Sequence, residues 1–128
     1  MRKIAFIQNE QGSTLVEFTA VLLILLTLTF GIIDFSRYVY AISVVRAAAQ
    51  EGAREAIKPS VDIPTAQAAA ESKMVALDLN RATVSINRGT DIVDAEVTYT
   101  FEFITPLLAA TVSGGTVVIS GTASMAIY

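Results

Sequence analysis

The sequence predicts an α+β fold: a long N-terminal helix, its first half transmembrane and its second half amphipathic, a second helix, and a three-stranded antiparallel sheet packed on them. Three observations carry this. From Phe18 to Ile33 no side chain is charged, and with Leu15 and Val16 the apolar run approaches the roughly 20 residues needed to cross a bilayer core. Beyond that run a helical spacing of apolar residues continues to Ile57. From Ala82 onward the period falls to two, the mark of half-buried strands.

Composition agrees with one membrane segment plus one small domain. Of 128 residues 53% are hydrophobic, and the mean hydropathy is +0.57, too apolar for an ordinary soluble domain and too short a chain for a multi-span transporter. A net charge of −3 with no basic cluster argues against nucleic acid as a partner. Cysteine is absent, which excludes disulfides and thiolate metal sites. Histidine is absent as well, removing the commonest general base and metal ligand.

Met1 to Gln11 is a short leader with Arg2 and Lys3 near its start. A secretory signal would place its apolar core before the cleavage site; here Gly12-Ser13 precedes the apolar run. Arg2 and Lys3 favour a cytoplasmic N-terminus. The helix is expected from about Thr14 to Ile57, on the order of 65 Å long. Its polar residues between Phe18 and Ile33 are three threonines, whose hydroxyls can bond back to a carbonyl one turn earlier. Glu17 stands at the lip of the run, and two roles fit it. Thr14-x-x-Glu17 matches a capping box, and a carboxylate there suits the helix dipole. Alternatively Glu17 is a functional charge at the edge of lipid with a specific partner.

Past the run, Asp34 and Arg37 are expected to pair at i, i+3 on the far membrane surface. Tyr38, Ile42, Val45, Ala49, Ala53 and Ala56 form a stripe facing a cover, and Ala47 to Ala49 allow a close approach. Pro59 ends the helix. A linker over 60–63 leads to a second helix over 64–79 with Ala66, Ala69, Ala70, Met74, Leu77 and Val75 expected to face inward. Strands are expected at about 82–87, 92–103 and 116–128. In the second, Val93, Ala95, Val97, Tyr99, Phe101 and Phe103 alternate with polar residues. Thr105-Pro106 reads as an N-cap and first helical position, and Gly121 is expected to bulge the last strand.

No Ser-His-Asp or Cys-His set, phosphate-binding glycine loop or metal-spaced cluster is present, so no enzyme and no cofactor are expected. The closely spaced acids Asp91, Asp94, Glu96 and Glu102 fit a turn and the solvent face of a strand better than a calcium site.

Gly12-Ser13-x-x-x-Glu17-Phe18 before an apolar helix resembles the class III signal of type IV pilin-like proteins. Val16-Glu17-Phe18, Gly31-Ile32-Ile33-Asp34-Phe35-Ser36-Arg37 and Ala49-Gln50-Glu51-Gly52-Ala53-Arg54 resemble the TadE-like family, the pseudopilins or minor pilins of the tight-adherence (Flp) pilus system. The C-terminal VTYTFEFITPLLAATV and ISGTASMAIY resemble it more loosely, so the likeness runs from about Gly12 to Tyr128. Ser13 departs from type IV pilins, which often carry an N-methylated phenylalanine there.

The resemblance implies a prepilin leader at 1–12, a transmembrane or filament-core helix at 13–35, and an extracytoplasmic pilin-like domain at 36–128, with its first helix at 36–57. It implies a prepilin peptidase that cuts between Gly12 and Ser13. Glu17, next to Phe18, would then meet the new Ser13 amine of a neighbouring subunit during assembly. The partners so implied are that peptidase, other pilin and pseudopilin subunits, the inner-membrane assembly platform and membrane lipid. The expected function is assembly of, or a place in, a tight-adherence pilus for surface adhesion and biofilm formation. The alternative is an uncleaved, signal-anchored single-pass membrane protein whose external domain binds a partner.

Overall fold

The computed structural model describes residues 8–128. Arg2 and Lys3, with most of the expected leader, lie outside the described residues. A single helix, α1 (Gln8–Ala56), runs through 49 residues, or about 74 Å at 1.5 Å per residue. It is followed by α2 (Ile63–Lys73), a 3-10 turn at Leu79–Arg81, and strands β1 (Ala82–Arg88) and β2 (Ile92–Glu102). A short helix, α3 (Pro106–Thr111), precedes β3 (Thr116–Ala126). The strands form one antiparallel sheet in the order β1-β2-β3, so the expected α+β architecture is the one observed.

The helix meets the sheet through small residues. Buried positions on α1 are Ala41, Val45, Ala48, Ala49, Ala53 and Ala56, while the sheet supplies the bulk with Val93, Val97, Tyr99, Phe101 and Ile119. Beta-2 buries every second residue from Val93 to Phe101, as its alternation demands. The close approach occurs at Gly121. A Cβ built there would stand 3.0 Å from both Cγ1 and the carbonyl oxygen of Val45. The expected bulge at Gly121 is absent: the register runs unbroken through Val97↔Gly121, and the glycine is needed for helix contact instead.

Alpha-1 ends three residues before Pro59, as expected of a proline stop. Arg88 then secures that end. Its Nε donates to the Ala56 carbonyl at 2.7 Å and its Nη2 to the Val61 carbonyl at 2.7 Å, so the last strand residue of β1 satisfies one acceptor that the helix leaves open and one in the linker after it. Asp62 opens α2 by accepting from the Thr65 N–H at 3.1 Å. Hydrogen bonding from Thr65, by its side chain first and then its backbone, holds the Asp62 carboxyl below the usual range.

Alpha-2 is shorter than the expected 64–79. It stops at Lys73, with Met74 turned into the core as expected, Val75 turned out against expectation and Ala76 in the left-handed region at φ 63°. The Tyr40 hydroxyl donates to the Val75 carbonyl at 3.0 Å, and Asp78 caps the next turn through the Asn80 N–H. Local hydrogen bonds thus favour a reversal towards β1 over continued helix. Strand limits differ from expectation by one or two residues; Phe103 lies outside β2 and Ile127 outside β3.

Candidate assembly helix and its junction with the domain

The first half of α1 touches almost nothing. Its most apolar stretch has a mean hydropathy of 2.3 with none of it buried, and the helix is long and apolar enough to cross a membrane. Leu15, Val16, Phe18, Val21, Leu23 and Ile24 are each more than half exposed, so the apolar surface encircles the helix rather than forming a stripe. The polar hydroxyls are satisfied internally. Thr19, Thr27 and Thr29 each donate at 2.8 Å to the carbonyl four residues earlier, as expected for threonines in lipid.

Gly12, Ser13, Glu17 and Phe18 all lie inside this helix. A Cβ added at Gly12 would meet nothing within 4 Å. The capping-box role of Thr14 does not hold, because α1 begins at least six residues before it. Its hydroxyl donates to the Glu10 carbonyl at 3.0 Å, deep in a regular turn. Glu17 is therefore no N-terminal cap partner in the full chain. It is exposed, and among the described residues no ion pair involves it.

At the other end of the apolar run, Asp34 does more than pair with Arg37. It is fully buried. Its Oδ2 accepts from the Thr105 N–H at 2.7 Å, and the Ile104 N–H reaches both carboxylate oxygens at 3.0 and 3.1 Å. Arg37 Nη1 completes the set at 2.9 Å from Oδ1, so the expected i, i+3 pair exists, but as one part of a clamp. A carboxylate taken from water needs such charge-assisted bonds to offset its desolvation. Arg37 also lies 5.0 Å from the ring centre of Phe101, which in turn packs edge-on to Tyr38 and Phe103. Thr105 occupies the N-cap position of α3 without the expected side-chain cap; its N–H serves Asp34 instead.

The signal for this clamp was present in the sequence. Asp34, Tyr38, Ala41 and Val45 follow helical spacing, so Asp34 sits on the buried stripe and not merely at a membrane surface. Its partners lie 70 and 71 residues away, which no local pattern can indicate.

The sheet acids do not converge. Asp94 accepts from Ser124, Glu96 from Ser120, and Glu102 pairs with Arg81 at 2.6 Å. Among the described residues no group of His, Cys, Asp and Glu could hold a metal ion.

Residues 12–54 match the model of a family described as TadE-like protein. That stretch covers the apolar half of α1 and its extension almost to Ala56, and stops before α2 and the sheet. No curated protein and no solved structure matches the chain.

Proposed function

We propose, from a helix that matches the TadE-like family over 12–54, that this chain is a pseudopilin or minor pilin that acts in the assembly of a tight-adherence pilus or forms part of one. The match itself supports a component related to that pilus machinery, held at a membrane by α1. The observation that supports the finer reading is Glu17: an exposed carboxylate at the edge of the apolar run, which forms no ion pair among the described residues. A charge in that setting calls for a partner outside the chain.

In this reading a prepilin peptidase cuts between Gly12 and Ser13. The Ser13 amine then pairs with Glu17 of the adjacent subunit as the apolar helices bundle. The pairing offsets a burial that neither charge could sustain alone. The chain crosses the inner membrane once, N-terminus inside, and the peptidase, other subunits and the assembly platform are its partners. Pilus formation serves surface adhesion and biofilm growth.

The test is Glu17→Gln, read by shearing pili from cells and checking cleavage in the same cells. Expression, insertion and cleavage stay intact, while the variant is lost from the sheared fraction. Wild-type amounts of Glu17→Gln in that fraction would remove the carboxylate from assembly.

One observation favours the rival, an uncleaved signal anchor: the Gly12–Ser13 bond lies within continuous helix, whereas a protease cleft takes extended backbone. Mass spectrometry of the mature N-terminus separates the two, Ser13 for the pilin and Met1 for the anchor.

A further inference from the structure

We propose that the excursion from Ile104 to Val112, with α3 at its centre, is a second membrane-contacting element, sunk into the leaflet that faces the folded domain beside the last turns of the span. This rests on the reading of α1 as membrane-spanning.

Position comes first. Leu107 and Leu108 of α3 share a groove with Thr27, Leu28, Gly31 and Ile32 of α1. Thr27 precedes Asp34 by 34 − 27 = 7 residues, about 10 Å along the helix axis. After β2 the chain therefore passes the Asp34–Arg37 level and continues alongside the apolar run. It turns back at Ser113–Gly115 to enter β3. The Phe103 N–H donates to the Gly115 carbonyl at 3.1 Å and closes the excursion at its neck.

Chemistry agrees with position. No residue from Phe103 to Tyr128 is charged. Ile104 and Leu107 are 56% and 62% exposed, in a segment whose neighbours on α1, Ile32 and Phe35, are exposed too. These surfaces form one apolar belt. Lipid that surrounds the span at Leu28 and Ile32 surrounds Leu107 at the same depth.

Backbone satisfaction is the condition that hydrocarbon imposes and water does not. The N–H groups of Ile104 and Thr105, which a helix start leaves open, are both taken by Asp34. Pro106 has no N–H to satisfy. The Ala109 N–H donates to the Thr105 carbonyl at 2.9 Å, and the Thr111 hydroxyl to the Leu108 carbonyl at 2.8 Å. A carboxylate on the span thus takes two of the N–H groups at the start of α3; the N–H groups of Leu107 and Leu108 and the Thr105 hydroxyl have no partner among the described residues.

The chain has no tryptophan, so a single introduced one reports alone. Leu107→Trp, Leu23→Trp in the span and Ile92→Trp at the far end of β2 are reconstituted separately. The vesicles are phosphatidylcholine with brominated acyl chains, which quench by contact. Ile104→Trp repeats the measurement at the second exposed position, so that a local defect in one variant does not decide it. The expected result is loss of most emission at 107, 104 and 23, with emission at 92 retained. Quenching at 23 with none at 107 and 104 overturns the proposal while the span stands, and leaves this apolar face to a protein partner. Absence of quenching at all of these positions overturns the span and the proposal together.

Discussion

At the scale of single residues, the two carboxylates that bracket the apolar run have opposite situations. Glu17 faces outward and Asp34 is spent within the molecule. Replacing Asp34 by alanine orphans the N–H groups of Ile104 and Thr105, each costing about 1–3 kcal/mol when buried. The expected loss is about 2–4 kcal/mol, read as a drop of ~10 °C or more in the melting temperature of detergent-solubilised protein. Asp34→Asn keeps one acceptor oxygen and falls between that variant and the wild type. A melting curve unmoved by Asp34→Ala would mean that the clamp contributes nothing. Gly12 gives a second residue-scale outcome. In the proposed reading the helix opens there so that a peptidase reaches the bond, and glycine lowers the cost of opening. Gly12→Val adds β-branched bulk at the site and should block maturation, seen as the precursor mass persisting on a gel. Normal processing of Gly12→Val would count against a prepilin peptidase. Both carboxylates were visible in the sequence, Glu17 with a capping role beside a partner role and Asp34 with its Arg37 pairing; of these, the capping role of Thr14 and Glu17 does not hold in the uncut helix. That role failed because nothing local marks how far upstream a helix extends.

At the scale of elements, the parts set by period were legible and the parts set by contact were not. Alternation from Val93 to Phe101 gave β2 its buried face, and the alanine-rich spacing of 41–56 gave α1 its seat. The early end of α2 was hidden, because Met74-Val75-Ala76-Leu77 has good helix formers and the turn depends on the Tyr40 hydroxyl from another element. Gly121 was misread for a similar reason: a glycine in a strand signals either a bulge or a close neighbour, and only the packing of α1 decides. The contact makes a prediction. Gly121→Val forces bulk against Val45, and overpacking of this kind costs about 1–3 kcal/mol. Gly31→Ala, with nothing within 4 Å, leaves domain stability unchanged. Chemical denaturation of the pair checks this, and equal midpoints for the two variants would remove Gly121 from the helix–sheet interface.

At the scale of the whole molecule, the chain divides into an uncovered half-helix and a covered one, with Asp34 at the border. If the span lies as proposed, protease added to spheroplasts digests the domain from Ser36 onward and leaves the apolar run intact. A protected domain would reverse the orientation. Continuity of α1 across that border has a further consequence, which is angular. No break or proline interrupts the helix between Glu17 and Asp34, which are 34 − 17 = 17 residues apart. At 3.6 residues per turn the two carboxylates are separated by ~26 Å of rise and ~260° of rotation. Because Asp34 is bonded to Ile104 and Thr105, the sheet shares that fixed azimuth. The helix is thus a crankshaft: whichever way Glu17 is turned to meet a neighbour, the direction in which the domain projects is already set, and one residue added to or removed from the run would swing it by ~100°.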